Sequence, residues 1–168
     1  FMTVEVENIK DQIWSLLAGI PDPEIPVISI TELGVVRNVE VNKNGIIISI
    51  TPTYSGCPAM KLFEEDILST LSEEGYQNVK TKTIYSPAWT SDWLGEEAKQ
   101  KLKKYGIAPP GKTAEEKNTL FEENTKKVPC PYCDSSNTRL TSQFSSTACK
   151  ALHFCNQCQQ PFEYFKCI

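Results

Sequence analysis

Two Cys-x-x-Cys pairs, Cys130-Pro-Tyr-Cys133 and Cys155-Asn-Gln-Cys158, stand 21 residues apart in this 168-residue chain. Each pair can turn two thiolates toward one ion, and four thiolates complete a closed tetrahedral site. The spacing therefore predicts a zinc ribbon, with Cys130, Cys133, Cys155 and Cys158 holding a structural Zn2+. Residues 128–168 are too few to bury an apolar core of their own, so the ion is expected to supply folding energy. A redox use of the pairs would need a thioredoxin-like βαβ setting, which the local pattern lacks. Asp134 and Gln159 follow the pairs where glycine is usual, so each is expected to take a left-handed turn at some cost.

Cys149, His153 and Cys167 are left over. Residues 148–154 and 162–168 read as paired strands leading into and out of the second Cys pair. If those strands are antiparallel, Cys149 and Cys167 lie near each other. A second metal site at these two, zinc or iron–sulfur, is one reading; two small buried residues on a hairpin is the commoner one. A single histidine excludes any multi-histidine centre, and a lone histidine is more often structural than a ligand.

The seventh cysteine sits in Thr51-Pro-Thr-Tyr-Ser-Gly-Cys57-Pro-Ala-Met60. Residues 46–50 before it read as a strand, and 58–74 after it as an amphipathic helix. Pro58 suits the first helical position, where its missing N–H has no intrahelical use. That places Cys57 at the helix mouth, facing unpaired backbone N–H groups and the positive end of the dipole, which favour a thiolate able to ligate metal. On the local pattern alone, a small buried residue at a tight turn explains Cys57 slightly better.

The rest of the first 110 residues alternates helix and strand. Residues 3–18 carry Val6, Ile9, Ile13 and Leu16 or Leu17 at helical spacing, with Gly19 as the stop. Ile20-Pro-Asp22-Pro-Glu-Ile-Pro-Val27 holds three prolines, which forbid a helix and present Asp22 rigidly; a turn-forming role is the commoner reason for such an Asp. Residues 29–34 could form one helical turn ended by glycine. In 35–41, Val35, Arg37, Val39 and Val41 share one face of a strand, and Val36, Asn38 and Glu40 the other. Asn42-Lys-Asn-Gly45 reads as a hairpin with Asn-Gly taking positive φ. Met60, Phe63, Ile67 and Leu71 stripe the second helix, residues 79–85 form a third strand, and 92–105 a third helix. Its early acids and late lysines complement the dipole, so they read as a solvated face. The expected fold class is α+β: a small α/β domain over 1–110 with a roughly three-stranded sheet, a linker over 111–127 rich in Lys, Glu, Asn and Thr, and a zinc ribbon over 128–168.

Charge and composition remove several functions. Residues 1–109 hold ten Lys/Arg against fifteen Asp/Glu, and 110–168 seven against six. Neither part has the basic footprint of a nucleic-acid binder. No run of about eighteen apolar residues occurs, so no membrane span is expected. With no signal segment in view, a cytoplasmic location is expected, where cysteines are thiols or metal ligands.

Longer stretches of the chain resemble known families. Asp22-Pro-Glu-Ile-Pro-Val…Glu32-Leu-Gly-Val-Val, Thr51-x-Thr53-x-x-Gly56-Cys57-Pro58 and Trp89…Asp92…Leu102…Tyr105-Gly-Ile-Ala-Pro-Pro110 resemble the small α/β domain of iron–sulfur cluster assembly factors. Phe144-x-Ser-Thr-Ala-Cys-Lys-Ala-Leu152, the four paired cysteines and Pro161-Phe-Glu-Tyr-Phe-Lys-Cys-Ile168 resemble the tail of the PaaD-type family of phenylacetyl-CoA epoxidase proteins. Glu32 stands where many members of the wider family have Asp.

The resemblance implies an accessory or maturation subunit of a multicomponent phenylacetyl-CoA ring oxygenase, in aerobic phenylacetate degradation. By the same resemblance, Cys57 would be the reactive or cluster-binding thiolate and Asp22 an acid in the same motif. Cys57 would transiently hold iron or an iron–sulfur cluster, in one chain or across a homodimer, and deliver it to oxygenase or reductase subunits. The residues themselves exclude two other roles. There is no Glu-x-x-His of a diiron catalyst and no phosphate-binding glycine loop of a reductase. The chain is thus not expected to be catalytic by itself. Two alternatives stay open: a docking subunit whose zinc ribbon is the active part, with no metal transfer, and a thiol enzyme using Cys57. The second needs a base, and the single histidine lies in the other module.

Overall fold

The apolar stripe of the first segment becomes helix α1 (Met2–Leu17), which buries Ile13 and Leu17 completely. The structure, a computed structural model, describes residues 2–111 and 127–166. Contacts divide the chain into two units, Phe1–Trp89 and Thr90–Ile168.

In the first unit, β1 (Val36–Asn42) and β2 (Gly45–Ile50) form an antiparallel hairpin. Helix α2 (Ala59–Glu73) then crosses to β3 (Val79–Thr83), which pairs parallel with β2, giving the order β1-β2-β3. Parallel neighbours require such a crossover, and the apolar sequence of β2 suits the central position. Ile46, Ile48 and Ile50 of β2 are buried, as are Ala59, Phe63, Ile67 and Leu71 along one face of α2. Burying a side chain of the Phe63 or Ile67 class contributes about 1.5–3 kcal/mol.

Two local expectations need correction. A bulge between Val36 and Asn38 interrupts the alternation of β1, so Val36 is buried with Val39 instead of sharing the exposed face of Asn38 and Glu40. One extra residue in a strand shifts which face the next side chains occupy. In the hairpin, Asn42 pairs with Gly45, and only Gly45 takes positive φ, at 134°. Asn44 does not; its N–H instead bonds Asn42 Oδ1 at 2.8 Å.

The second unit opens with a 3-10 turn, Ser91–Trp93, whose cap Thr90 accepts from the Asp92 N–H. Helix α3 (Glu96–Tyr105) follows and ends at Gly106, φ 91°. The helix expected over 92–105 is therefore broken near Leu94 and Gly95, both extended. Four strands complete the unit: β4 (Ile107–Ala108), β5 (Thr138–Ser142), β6 (Lys150–Cys155) and β7 (Pro161–Phe165). Their order is β4-β7-β6-β5, with β5, β6 and β7 antiparallel in turn and β4 added parallel to β7.

Strand β4 puts α3 with the ribbon residues, whereas the sequence places the domain boundary at 110. Ile107 pairs with Glu163 and Ala108 with Tyr164, so these residues have their backbone partners within the second unit. Residues 112–126 of the expected linker lie outside the described residues, as does Cys167. No helix among the described residues is long and apolar enough to cross a membrane.

Candidate metal and thiol sites

The four paired cysteines converge. The two hairpin loops that carry them are closed by backbone bonds: Asp134 N–H to the Cys130 carbonyl at 2.9 Å, Cys130 N–H to Ser135 at 3.0 Å, and Cys155 N–H to Gln160 at 3.0 Å. Asp134 (φ 57°) and Gln159 (φ 55°) take the left-handed turns that the missing glycines led us to expect. All four sulfurs lie within 4.8 Å of one another. Cys130 Sγ is 3.7 Å from Cys158 Sγ, and Cys133 Sγ 3.6 Å from Cys155 Sγ. Four Zn–S bonds of about 2.3 Å in a tetrahedron put sulfurs about 3.8 Å apart, so the set fits one zinc-sized ion.

Electrostatics point the same way. Cys155 is lowered to about 7, chiefly by the Cys158 backbone N–H. Cys158 is pushed up to about 12 by burial and then by the Cys133, Cys155 and Cys130 thiols. Cys133 is also raised: the Ser135 backbone N–H pulls it down, but burial and the Cys155 thiol outweigh that. Crowded thiols cannot all ionise side by side unless a cation offsets their charge. Around them lies a small core of Ala108, Val128, Cys130, Cys155 and Phe162, with Cys158 and Tyr164 packed against it.

Strands β6 and β7 carry a polar network that sequence reasoning missed. Lys150, only 3% exposed, bonds Glu163 Oε2 at 2.9 Å. The Ser145 and Ser146 hydroxyls donate to Glu163 Oε1, the latter at 3.1 Å. Burial alone would raise the Glu163 carboxyl; Ser145, Lys150 and Ser146 together bring it below its ordinary value. The signal available in the sequence was Lys150 at the head of a mostly apolar strand, with Glu163 in its partner. His153 stacks on Phe162 at 5.6 Å and meets Tyr164 edge-on, and burial lowers its pKa. Cys149 is buried with its Sγ 3.0 Å from Thr147 Oγ1, and its carbonyl accepts from Lys166 N–H.

The first unit presents Cys57 differently. Beyond β2 the chain turns through buried Thr51 and Thr53, and Cys57 N–H bonds the Tyr54 carbonyl at 3.2 Å. The Cys57 carbonyl accepts from Met60 N–H at 3.3 Å, and Pro58 already has helical angles (φ −69°, ψ −20°). Cys57 is partly exposed at the mouth of α2. Gly56 beside it has φ 76°, and nothing lies within 4 Å of where a Cβ would stand. The turn therefore leaves open space on that side.

Asp22 is buried, and its carboxylate shapes its own loop. Its Oδ1 accepts from the Glu24 N–H at 2.9 Å and the Ile25 N–H at 2.7 Å, while its N–H bonds the Ile28 carbonyl. Just beyond, Ser29 and Glu32 form a reciprocal capping pair: Ser29 Oγ accepts from Glu32 N–H at 3.2 Å, and Glu32 Oε2 from Ser29 N–H at 2.9 Å. The Ser-x-x-Glu spacing was legible in the sequence.

Comparison with known proteins matches the stretches carrying the two sites to different family models. Residues 10–80 match the family model described as "Iron-sulfur cluster assembly protein", and residues 114–166 match "PaaD zinc beta ribbon domain". The chain is 46% identical over 157 residues to the Escherichia coli (strain K12) protein named "Putative 1,2-phenylacetyl-CoA epoxidase", with D as its subunit letter, covering 94% of this chain and 92% of that one. The chain belongs to the PaaD family of phenylacetyl-CoA epoxidase subunits. It is also 32% identical over 80 residues to "Fe-S protein maturation auxiliary factor SufT" of Staphylococcus aureus (strain USA300), spanning 46% of this chain and 90% of that protein. Among solved structures, the DUF59 domain of unknown function from Bacillus anthracis superposes with a TM-score of 0.54 at 24% identity, over 58% of this chain and 93% of that one. That last match concerns the fold alone. This PaaD-family chain thus joins an assembly-factor-type domain to a zinc ribbon, and the four-cysteine set is placed so that it could hold a metal ion.

Proposed function

We propose that this chain is an accessory maturation subunit of a multicomponent phenylacetyl-CoA ring epoxidase. In this reading Cys57 is the thiolate that transiently holds iron or an iron–sulfur cluster as cargo. The cargo passes on to oxygenase or reductase subunits. Cys130, Cys133, Cys155 and Cys158 hold a structural Zn2+, and Asp22 shapes the loop of the cargo-side motif. The observation that supports it most is the contrast between the two thiol sites. Four sulfurs at closed-site spacing leave no open position for an exchangeable ligand. A single, partly exposed cysteine at a helix mouth does.

The test is metal content with visible and Mössbauer spectra on anaerobically purified full chain, as wild type and Cys57→Ser. The expected result is about one zinc per chain in both, plus iron in the wild type that disappears in the variant. Zinc without iron, even after reconstitution, would sink the carrier role and leave a docking subunit. Iron in place of zinc in both samples would move the chemistry to the ribbon.

A further inference from the structure

We propose that α3 and β4 belong to the metal-dependent part of the molecule, so that losing the ion from the four-cysteine site releases residues 96–108. This rests on the ribbon-metal reading above. Separate contacts tie this segment to the site. Ile107 and Ala108 pair with Glu163 and Tyr164, adding an edge strand to the ribbon sheet. Ala108, 1% exposed, packs in the same small core as Cys130 and Cys155. Lys103 on α3 makes an ion pair with Asp134, the residue after the first Cys pair that adopts the left-handed turn. The Tyr132 ring, inside that pair, lies against Gly106: a Cβ there would come within 2.5 Å of the Tyr132 hydroxyl.

Physical reasoning sets the direction of the effect. The core shared by Ala108, Val128, Cys130, Cys155 and Phe162 contains two of the thiols that the ion would hold. Without the ion, those thiols lose the interaction that fixes the two loops, and the cluster around them loses its anchor. Strand β4 is two residues long and depends on β7 for its pairing. Linkage makes the coupling reciprocal: whatever steadies α3 and β4 in the metal-bound form must tighten the ion to the same degree. Occupancy of the ribbon is thereby joined to the order of a helix and strand that lie outside its two cysteine loops.

Amide hydrogen exchange on the full chain, with and without a zinc chelator, tests this alongside a direct zinc assay. The expected result is bound zinc, and on its removal a loss of protection in 96–108 together with β5–β7, while α1, α2 and β1–β3 keep theirs. Gly106→Ala should weaken zinc affinity, read by competition with a chelator, at least about fivefold, and the surface change Lys103→Gln about twofold. Bound zinc whose removal leaves 96–108 protected, or wild-type zinc affinity in both variants, would overturn the coupling alone. Absence of any bound metal would overturn the ribbon reading and the coupling with it. Loss of protection spreading equally through β1–β3 would also overturn it, because the unit would not be separate.

Discussion

The two units of this chain hold themselves together by different physics. The first has a conventional core in which Ile13, Leu17, Ile48, Ile50, Phe63, Ile67 and Leu71 are each at most 1% exposed. Around the ribbon's sulfurs the buried cluster is Ala108, Val128, Cys130, Cys155 and Phe162, and two of these are cysteines of the four-sulfur set. On the proposed reading, Cys57 in the first unit is free to do something other than stabilise, whereas Cys130, Cys133, Cys155 and Cys158 are not.

The sharpest way to break that contrast is to remove the ion. Structural zinc contributes about 10–16 kcal/mol of apparent binding energy in small zinc modules. Chelation, or Cys155→Ser, should therefore abolish the dispersed amide signals of β5–β7 in an NMR spectrum while those of β1–β3 persist. A ribbon that stays folded without metal would mean that its small core suffices and the contrast is wrong.

The converse change comes next. Phe63 is 1% exposed at the centre of α2's buried face. Phe63→Ala should destabilise the first unit by about 3–5 kcal/mol in urea unfolding. Zinc stoichiometry should not change. Loss of zinc in this variant would show that the units are not energetically separate.

A third prediction sharpens the view that the ribbon has little besides metal to hold it. Lys150 is buried against Glu163, so Glu163→Gln leaves an ammonium with a weaker partner. The expected cost to the ribbon is about 1–3 kcal/mol, read as a lower midpoint of its thermal transition. The pH dependence follows from the depressed Glu163 carboxyl. Its stabilisation is complete above the ordinary glutamate value, about 4.3, and is lost as pH falls through the lower folded value. Wild type and Glu163→Gln should therefore converge in stability toward low pH and diverge as pH rises through that window.

How much of this was legible beforehand depends on the range of the interaction. Short-range patterns read correctly: the Phe63–Ile67–Leu71 stripe, the four-cysteine set, and the left-handed turns at Asp134 and Gln159. Features set by distant partners did not. Ile107 and Ala108 look like the tail of a helix stop and become a strand only because β7, some fifty residues later, offers Glu163 and Tyr164. The bulge at Val36 is likewise set by pairing with β2, and no residue in β1 announces it. At the candidate sites, sequence identified the cysteines, but resemblance was needed to raise Cys57 above a turn residue. Asp22 went the other way: the described bonds of its Oδ1 are those of the turn former that its prolines suggested.

The smallest expected change in stability is the most informative about function. Cys57 is partly exposed, sits outside the buried stripe of α2, and lies beside open space at Gly56. Truncating such a side chain changes stability by about 0.5 kcal/mol or less, so Cys57→Ala should unfold in urea at nearly the wild-type midpoint. Asp22→Ala, which removes the acceptor for two backbone N–H groups, should cost about 1–2 kcal/mol, and Asp22→Asn, which keeps that oxygen, clearly less. If Cys57→Ala instead destabilised the first unit as much as Phe63→Ala does, the thiol would be a packing residue and any loss of iron in that variant would be secondary. A neutral effect on folding combined with complete loss of iron would be hard to explain by structure alone. It would identify the one sulfur that the fold of this unit can do without.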